Sequence, residues 1–189
     1  MNGNLAYQDW RREELIGGKI MMMSPASPGH TYVADNILNI FKNHLKGKPC
    51  IPFGDGVLVY LTDKDKFVPD VMVVCDRSKI KPDGVHGAPD LVVEVLSPST
   101  ASRDRTYKKD VYERCSVPEY WIVSPADKFI EVYWLDGDKY VLRDICTLPA
   151  DWEMERMTDR EKADIVTEFK CRLYDDLTIR LEDIFSDFF

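Results

Sequence analysis

Apolar positions recur at helical spacing in one stretch of this chain, where Val33, Ala34, Ile37, Leu38, Phe41 and Leu45 form a stripe that ends at Gly47. Ser27-Pro28 in front of it predicts a capping hydroxyl followed by proline in the first turn. Upstream, Glu13 to Ile16 and Lys19 to Met23 flank Gly17-Gly18, a pair suited to positive φ, and so predict a β-hairpin. Short apolar runs bounded by Gly, Pro, Asp and Ser predict strands at Gly56 to Leu61, Val68 to Cys75, Asp90 to Leu96, Glu119 to Val123 and Ile130 to Leu135, with Asp136-Gly137 as a turn. Thr100 to Cys115 has helical spacing on two adjacent stripes, an apolar one of Tyr107, Val111 and Cys115 and a polar one of Asp104, Lys108 and Tyr112. Beyond these, Leu148 to Ala163 predicts a loop with some helix, and Ile165 to Leu173 a strand. Leu181 to Phe189 predicts a short amphipathic element whose Phe185, Phe188 and Phe189 either complete the core or line a homodimer contact.

One position breaks the pattern. Leu91-Val92-Val93-Glu94-Val95-Leu96 reads as a strand buried on both faces, yet its fourth residue is a carboxylate. A buried unpaired carboxylate costs several kcal/mol, so Glu94 requires a proton, a basic partner or a bound cation. Asp70, at the entry of the neighbouring apolar run Val68-Pro69-Asp70-Val71-Met72-Val73-Val74, is the first candidate to share its environment. Two carboxylates on adjacent strands repel, and a hard divalent cation between them removes the repulsion. Asp90 lies on the same face of the strand but about 13 Å from Glu94 at ~3.3 Å per residue, which suits a turn or cap acid rather than a shared ligand.

A Pro-Asp pair, a spacer and then Glu-x-Lys resembles the PD-(D/E)xK nuclease superfamily, except that Leu96 stands where the lysine belongs. Lys108, on the predicted helix after the Glu94 strand, offers the missing ammonium; the alternative is a surface pair with Asp104. With it the chain resembles the Uma-two family of putative restriction endonucleases, in which the lysine sits on that helix. The blocks that carry the resemblance are Glu14-Leu15-Ile16-x-Gly18, Ser24-Pro25-x-Ser27-Pro28-x-His30, Val68-Pro69-Asp70-Val71, Pro89 through Pro98, Arg103-Asp104 with Lys108 and Tyr112, and Val117-Pro118-Glu119-Tyr120-Trp121. Ser116 and Gly17 depart from the family's usual Gly and Asp.

The resemblance implies an α/β restriction-endonuclease-like fold, with a central mixed β-sheet flanked by helices plus an N-terminal β-hairpin. It implies one domain over residues 1–189, with a core of about 10–135 and an acidic C-terminal extension of 136–189. It implies hydrolysis of DNA phosphodiester bonds with Mg²⁺ or Mn²⁺ held by Asp70, Glu94 and the Val95 carbonyl, with Lys108 orienting water and offsetting charge on the phosphate. Glu14 matches a family position near the site, where it touches either the cation or Lys108, or is an edge-strand acid beside Arg12. His30 is either part of the site or a polar group at a helix start. Two other readings stay open: a nuclease fold that binds without turnover, and a structural core in which Glu94 only pairs with a base.

Composition adjusts this picture in two ways. A chain of 189 residues at 44% hydrophobic can bury one sizeable core, and its net charge of −8 would repel a polyanion unless unevenly placed. Residues 1–135 hold 18 acids and 17 Lys or Arg, whereas residues 136–189 hold 15 acids and 8, so the excess acid sits in the C-terminal part. Arg103, Arg105, Lys108, Lys109 and Arg114 on one helix could meet phosphate or simply face solvent. Five scattered cysteines without Cys-x-x-Cys spacing predict reduced thiols rather than a disulfide framework or a zinc site. Nothing in the chain has the layout of a signal peptide or membrane span, so a cytoplasmic location is expected.

Overall fold

The computed structural model describes residues 13–186. Its centre is a six-stranded sheet in the order β12-β11-β10-β9-β6-β3, formed by β3 (Ile51–Gly54), β6 (Val71–Val74), β9 (Leu91–Val95), β10 (Glu119–Ser124), β11 (Phe129–Asp136) and β12 (Lys139–Thr147). Within this sheet only β9 and β10 pair in parallel, and the connection between them is the helical segment that carries Lys108. The sheet is therefore mixed, as expected.

Period-two alternation sorts each central strand onto two faces. Val71, Val73, Leu91, Val93 and Val95 face α1 (Pro28–His44), where Val33, Ile37, Phe41 and Trp121 pack with Phe169, Ile184 and Phe185 from the C-terminal segment. Met72, Val74, Val92 and Leu96 face the other way, against Val111, Tyr112, Tyr120 and Phe67. The second face is covered by α2 (Ala101–Arg103), a π-helical turn (Asp104–Lys108) and α3 (Lys109–Arg114), together with a small sheet of order β2-β1-β5-β4-β8-β7. That sheet holds the predicted hairpin, β1 (Glu13–Ile16) and β2 (Lys19–Met22), with Gly17 at φ 58° and Gly18 at φ 78°, conformations a Cβ disfavours. Its other members are the short strands β4 (Val59–Tyr60), β5 (Lys66–Phe67), β7 (Ile80–Lys81) and β8 (Gly84–His86).

α1 forms as its stripe predicts: Ser27 Oγ accepts the His30 amide at 3.2 Å, and all six predicted core positions are buried. The expected strand at Gly56 to Leu61 shrinks to β4, because β3 takes the edge of the central sheet instead. β12 has no strand signal in the chain. Val141, Leu142 and Ile145 are exposed, so most of its apolar side chains give no burial signal.

The C-terminal segment holds α4 (Asp151–Arg156) and α5 (Asp159–Ala163), which bury no residue, and joins the α1-side core through β13 (Glu168–Lys170), β14 (Thr178–Arg180) and α6 (Leu181–Phe185). Phe185 is a core residue; Phe188 and Phe189 lie outside the described residues. Glu119 ties this segment to β10 by accepting from Trp121 Nε1 at 2.9 Å and from the Arg172 amide at 3.1 Å.

The cysteine expectation needs correction, because Cys50 and Cys75 form a disulfide. β3 pairs with β6 with Ile51 opposite Val74, and continuing that register by one residue sets Cys50 opposite Cys75. A pairing between strands far apart in sequence leaves no spacing signal. Cys115, Cys146 and Cys171 are free thiols.

Asp65 anchors the hairpin to the Lys108 helix. It accepts from the Gly17 amide at 2.9 Å, Tyr107 Oη at 2.8 Å and Thr62 Oγ1 at 2.9 Å. Burial alone would raise its pKa, but these hydrogen bonds outweigh that and hold it below the ordinary value. A depressed carboxylate stabilises the fold above its unfolded pKa, near 3.9, and loses that contribution as pH falls through the folded pKa. Asp65→Asn is therefore expected to cost about 1–3 kcal/mol at pH 7. In urea denaturation the gap to wild type should narrow below about pH 4; a gap independent of pH would contradict this.

Candidate active site

Continuing the β6–β9 register of Val71 opposite Val93 by one residue sets Asp70 directly opposite Glu94. Both side chains fall on the face that carries Met72 and Val92, and both residues are buried. Such cross-strand partners have Cβ atoms about 4.5–5.5 Å apart. Asp70 Oδ2 accepts the Val95 amide at 2.7 Å, which fixes the carboxylate against the strand that carries Glu94.

Lys108 reaches the same spot from the helix. Its Nζ lies 2.8 Å from Glu14 Oε1, 3.1 Å from Glu94 Oε1 and 3.8 Å from Asp104 Oδ1. Glu94 Oε1 also accepts from Tyr112 Oη at 2.7 Å. The surface pair of Asp104 with Lys108 is thus corrected: both residues are buried, and the polar stripe of the helix is the one turned inward. The expected apolar stripe is less covered, with Tyr107 exposed and Cys115 half-buried. Residues 104–108 are π-helical, a widened turn frequent at functional sites.

Glu14 is a site neighbour rather than an exposed edge acid. Its Oε1 accepts the Val68 amide at 3.0 Å as well as Lys108, and Arg103 Nη1 stands 3.9 Å from Oε2. Arg12 lies outside the described residues. Leu96 packs in the apolar cluster and leaves the cationic role to Lys108. Asp90 is a turn acid, accepting the Cys75 amide at 2.7 Å.

Electrostatics follow from one buried cation among several acids. Burial pushes the Glu94 carboxyl well above its ordinary pKa; Lys108 pulls it back, while Asp104, Asp70 and Glu14 raise it further. Asp104 is raised for the same principal reason, and its Oδ1 accepts no hydrogen bond. For Lys108, burial opposes the charge, but Glu94, Glu14 and Asp104 outweigh it and raise the pKa, so its ammonium is retained. The cluster holds more potential negative charge than Lys108 alone can balance.

His30, at the start of α1, places Nε2 3.3 Å from Asp70 Oδ2. With Asp35, Asp55 and Asp70 it lines a pocket of about 40 Å³ through which the Asp70 side of the cluster meets solvent. Burial lowers its pKa, but hydrogen bonding and charge from Asp70 prevail and raise it. The proximity of His30 to Asp70, the inward turn of Asp104 and the Tyr112 hydrogen bond have no signal in the chain, because they depend on how helix and sheet meet.

The donor set fits a hard divalent cation. The hydrogen bonds and ion pairs just described fall on Asp70 Oδ2 and Glu94 Oε1, so among the described residues Asp70 Oδ1 and Glu94 Oε2 keep lone pairs for a ligand. No three His, Cys, Asp or Glu side chains among the described residues converge as a ready-made metal cage. Mg²⁺ needs only one or two carboxylates and retains several waters.

The fold is shared with a solved structure, and the chain falls in a described family. A solved structure of a putative nuclease belonging to DUF820 from Anabaena variabilis superposes with a TM-score of 0.69 over 92% of this chain and 89% of that one, at 17% identity. The family model Uma2, described as "Putative restriction endonuclease", matches residues 5–161, and the chain belongs to that family. An uncharacterized protein of Synechocystis sp. (strain ATCC 27184 / PCC 6803 / Kazusa) is 32% identical over 144 residues, covering 73% of this chain and 76% of that protein. A second uncharacterized protein of the same organism is 25% identical over 136 residues, covering 70% of this chain and 77% of its own length.

Proposed function

We propose that this protein is a divalent-cation-dependent nuclease that hydrolyses DNA phosphodiester bonds. The observation that carries the reading is the opposed pair Asp70 and Glu94 with the Lys108 ammonium 3.1 Å from Glu94, supplied by the helix in place of Leu96. Asp70 Oδ1, Glu94 Oε2 and the Val95 carbonyl would hold Mg²⁺ or Mn²⁺. When bound, the cation supplies Lewis acidity, lowering the pKa of coordinated water and offsetting charge on phosphate.

The protein's own groups do the rest. Glu14 and Glu94 hold the Lys108 ammonium where it would orient the attacking water and neutralise a non-bridging phosphate oxygen. The Val95 amide and His30 both engage Asp70 Oδ2 and so turn Oδ1 toward the ligand. Tyr112 keeps Glu94 Oε1 occupied and its rotamer set. No helix among the described residues is long and apolar enough to cross a membrane; action in the cytoplasm, where DNA is accessible, is part of the proposal.

The bonds from Lys108 to Glu14 and Glu94 also suit a second reading, in which the nuclease fold binds nucleic acid without turnover. Titrating Mg²⁺ and Mn²⁺ while following cleavage of single-stranded, duplex and branched DNA separates the two. The proposal expects no cleavage in EDTA and saturable cleavage with added cation. Cation-independent cleavage would reject the mechanism, and binding without cleavage at any cation level would favour the second reading.

A further inference from the structure

The helix that carries Lys108 does not present its bases as one surface. Arg105 pairs with Glu131 at 3.2 Å, Lys109 lies 3.8 Å from the centre of the Tyr133 ring, and Lys108 is buried. Positive charge converges elsewhere. Lys42, Lys46, Lys48 and Arg77 line an open groove of about 300 Å³ between the C-terminal end of α1 and the start of β3, with Ile51 and Pro52 on its floor.

Several features separate this groove from a solvated helix end. Lys48 is engaged, 3.3 Å from Asp176 and 2.6 Å from His44. Among the described residues Arg77 donates its Nε to the Pro49 carbonyl at 3.1 Å and its terminal nitrogens to no acceptor. Lys42 and Lys46 are exposed and make no ion pair among the described residues. Three cations without an ion pair among the described residues thus face one concavity in a chain of net charge −8, where the average surface would repel a phosphate.

We propose that this groove binds the phosphodiester backbone of nucleic acid as an anchor separate from the candidate active site. His30 at the Asp70 pocket and His44 beside the groove are fourteen residues apart on one helix, or about 20 Å at 1.5 Å per residue. A backbone held here is therefore not held by the catalytic cluster. Lys and Arg without base-reading partners position the polymer rather than specify its sequence. The inference rests on the nuclease reading for its choice of polyanion, not for its charge geometry.

The test is fluorescence anisotropy of a labelled DNA duplex in EDTA, so that binding is read without cleavage. Lys42→Glu/Lys46→Glu is compared with Arg160→Glu/Lys162→Glu, an equal change of net charge on α5, no residue of which lines the groove. The groove variant is expected to bind at least about ten-fold more weakly than this control, with a salt dependence shallower by about two charges. Equal loss in both variants, or no loss in the groove variant, would overturn the groove and leave the cation-dependent cleavage result standing on its own. Lys42→Gln/Lys46→Gln, with thermal unfolding beside it, guards against misfolding: a smaller loss in the same direction at unchanged Tm supports the groove, and wild-type binding by this variant overturns it. Weak binding by the groove variant in a protein that shows no cleavage would keep the groove and reject turnover.

Discussion

Glu94→Gln is expected to abolish cation-dependent cleavage, by about 10³-fold or more, while leaving the protein at least as stable as the wild type. The amide keeps an oxygen to accept from Lys108 and Tyr112, but it replaces the anionic Oε2 that would hold the cation. Losing several kcal/mol of Lewis-acid stabilisation corresponds to that factor, at about 1.4 kcal/mol per ten-fold. Stability should not suffer, because burial, Asp104, Asp70 and Glu14 all oppose the wild-type carboxylate, and Lys108 and the Tyr112 hydrogen bond do not restore its ordinary pKa. Single-turnover cleavage and thermal unfolding, measured side by side, read the two effects. Cleavage above about a tenth of wild type in a folded Glu94→Gln protein would remove Glu94 from the mechanism.

Lys108→Met should act on activity in the same direction and on stability in the opposite one. Removing a buried ammonium leaves Glu14, Glu94 and Asp104 crowded without a counter-charge, which costs about 3–5 kcal/mol at neutral pH. Cleavage should fall by about 10²–10³, the usual effect of deleting one preorganised group that meets charge developing on the substrate. The carboxyls left behind should retain protons in the folded state that they lose on unfolding. The folded state then binds more protons, so the variant's stability should recover as pH falls toward 5. Combining Lys108→Met with Glu94→Gln should restore part of the stability, because the two side chains are coupled through one contact. A Lys108→Met protein as stable as the wild type at pH 7 would show that the ammonium is not the cluster's counter-charge.

Much of the candidate site is legible in the chain because its signals are local. A carboxylate among Leu and Val residues in one strand is anomalous whatever surrounds it, and Glu94 is buried as that anomaly demands. The α1 stripe and the Gly17-Gly18 hairpin were equally readable, since helical spacing and positive φ are properties of a few adjacent residues. Where local rules conflict, they mislead. The segment 101–114 offered an apolar and a polar stripe, and burial chose the polar one because Glu94 and Glu14 waited on the sheet side to compensate Lys108. β12 and the Cys50–Cys75 bond have no local signal because each is defined by a partner strand rather than by its own composition.

The sequence by itself determined the two-faced apolar strands, the capped helix that packs on them, the hairpin and the identity of Asp70, Glu94 and Lys108 as residues that packing alone would not choose. Those are consequences of periodicity and of the cost of burying charge. Only the tertiary structure decided that Asp70 and Glu94 stand opposite one another, that Lys108 serves Glu14 and Asp104 as well as Glu94, and that Lys42, Lys46 and Arg77 meet in one groove. Each of these depends on strand register or helix placement between segments distant in the chain. Side-chain charge acts over a few ångströms, and no spacing along the sequence reports that distance.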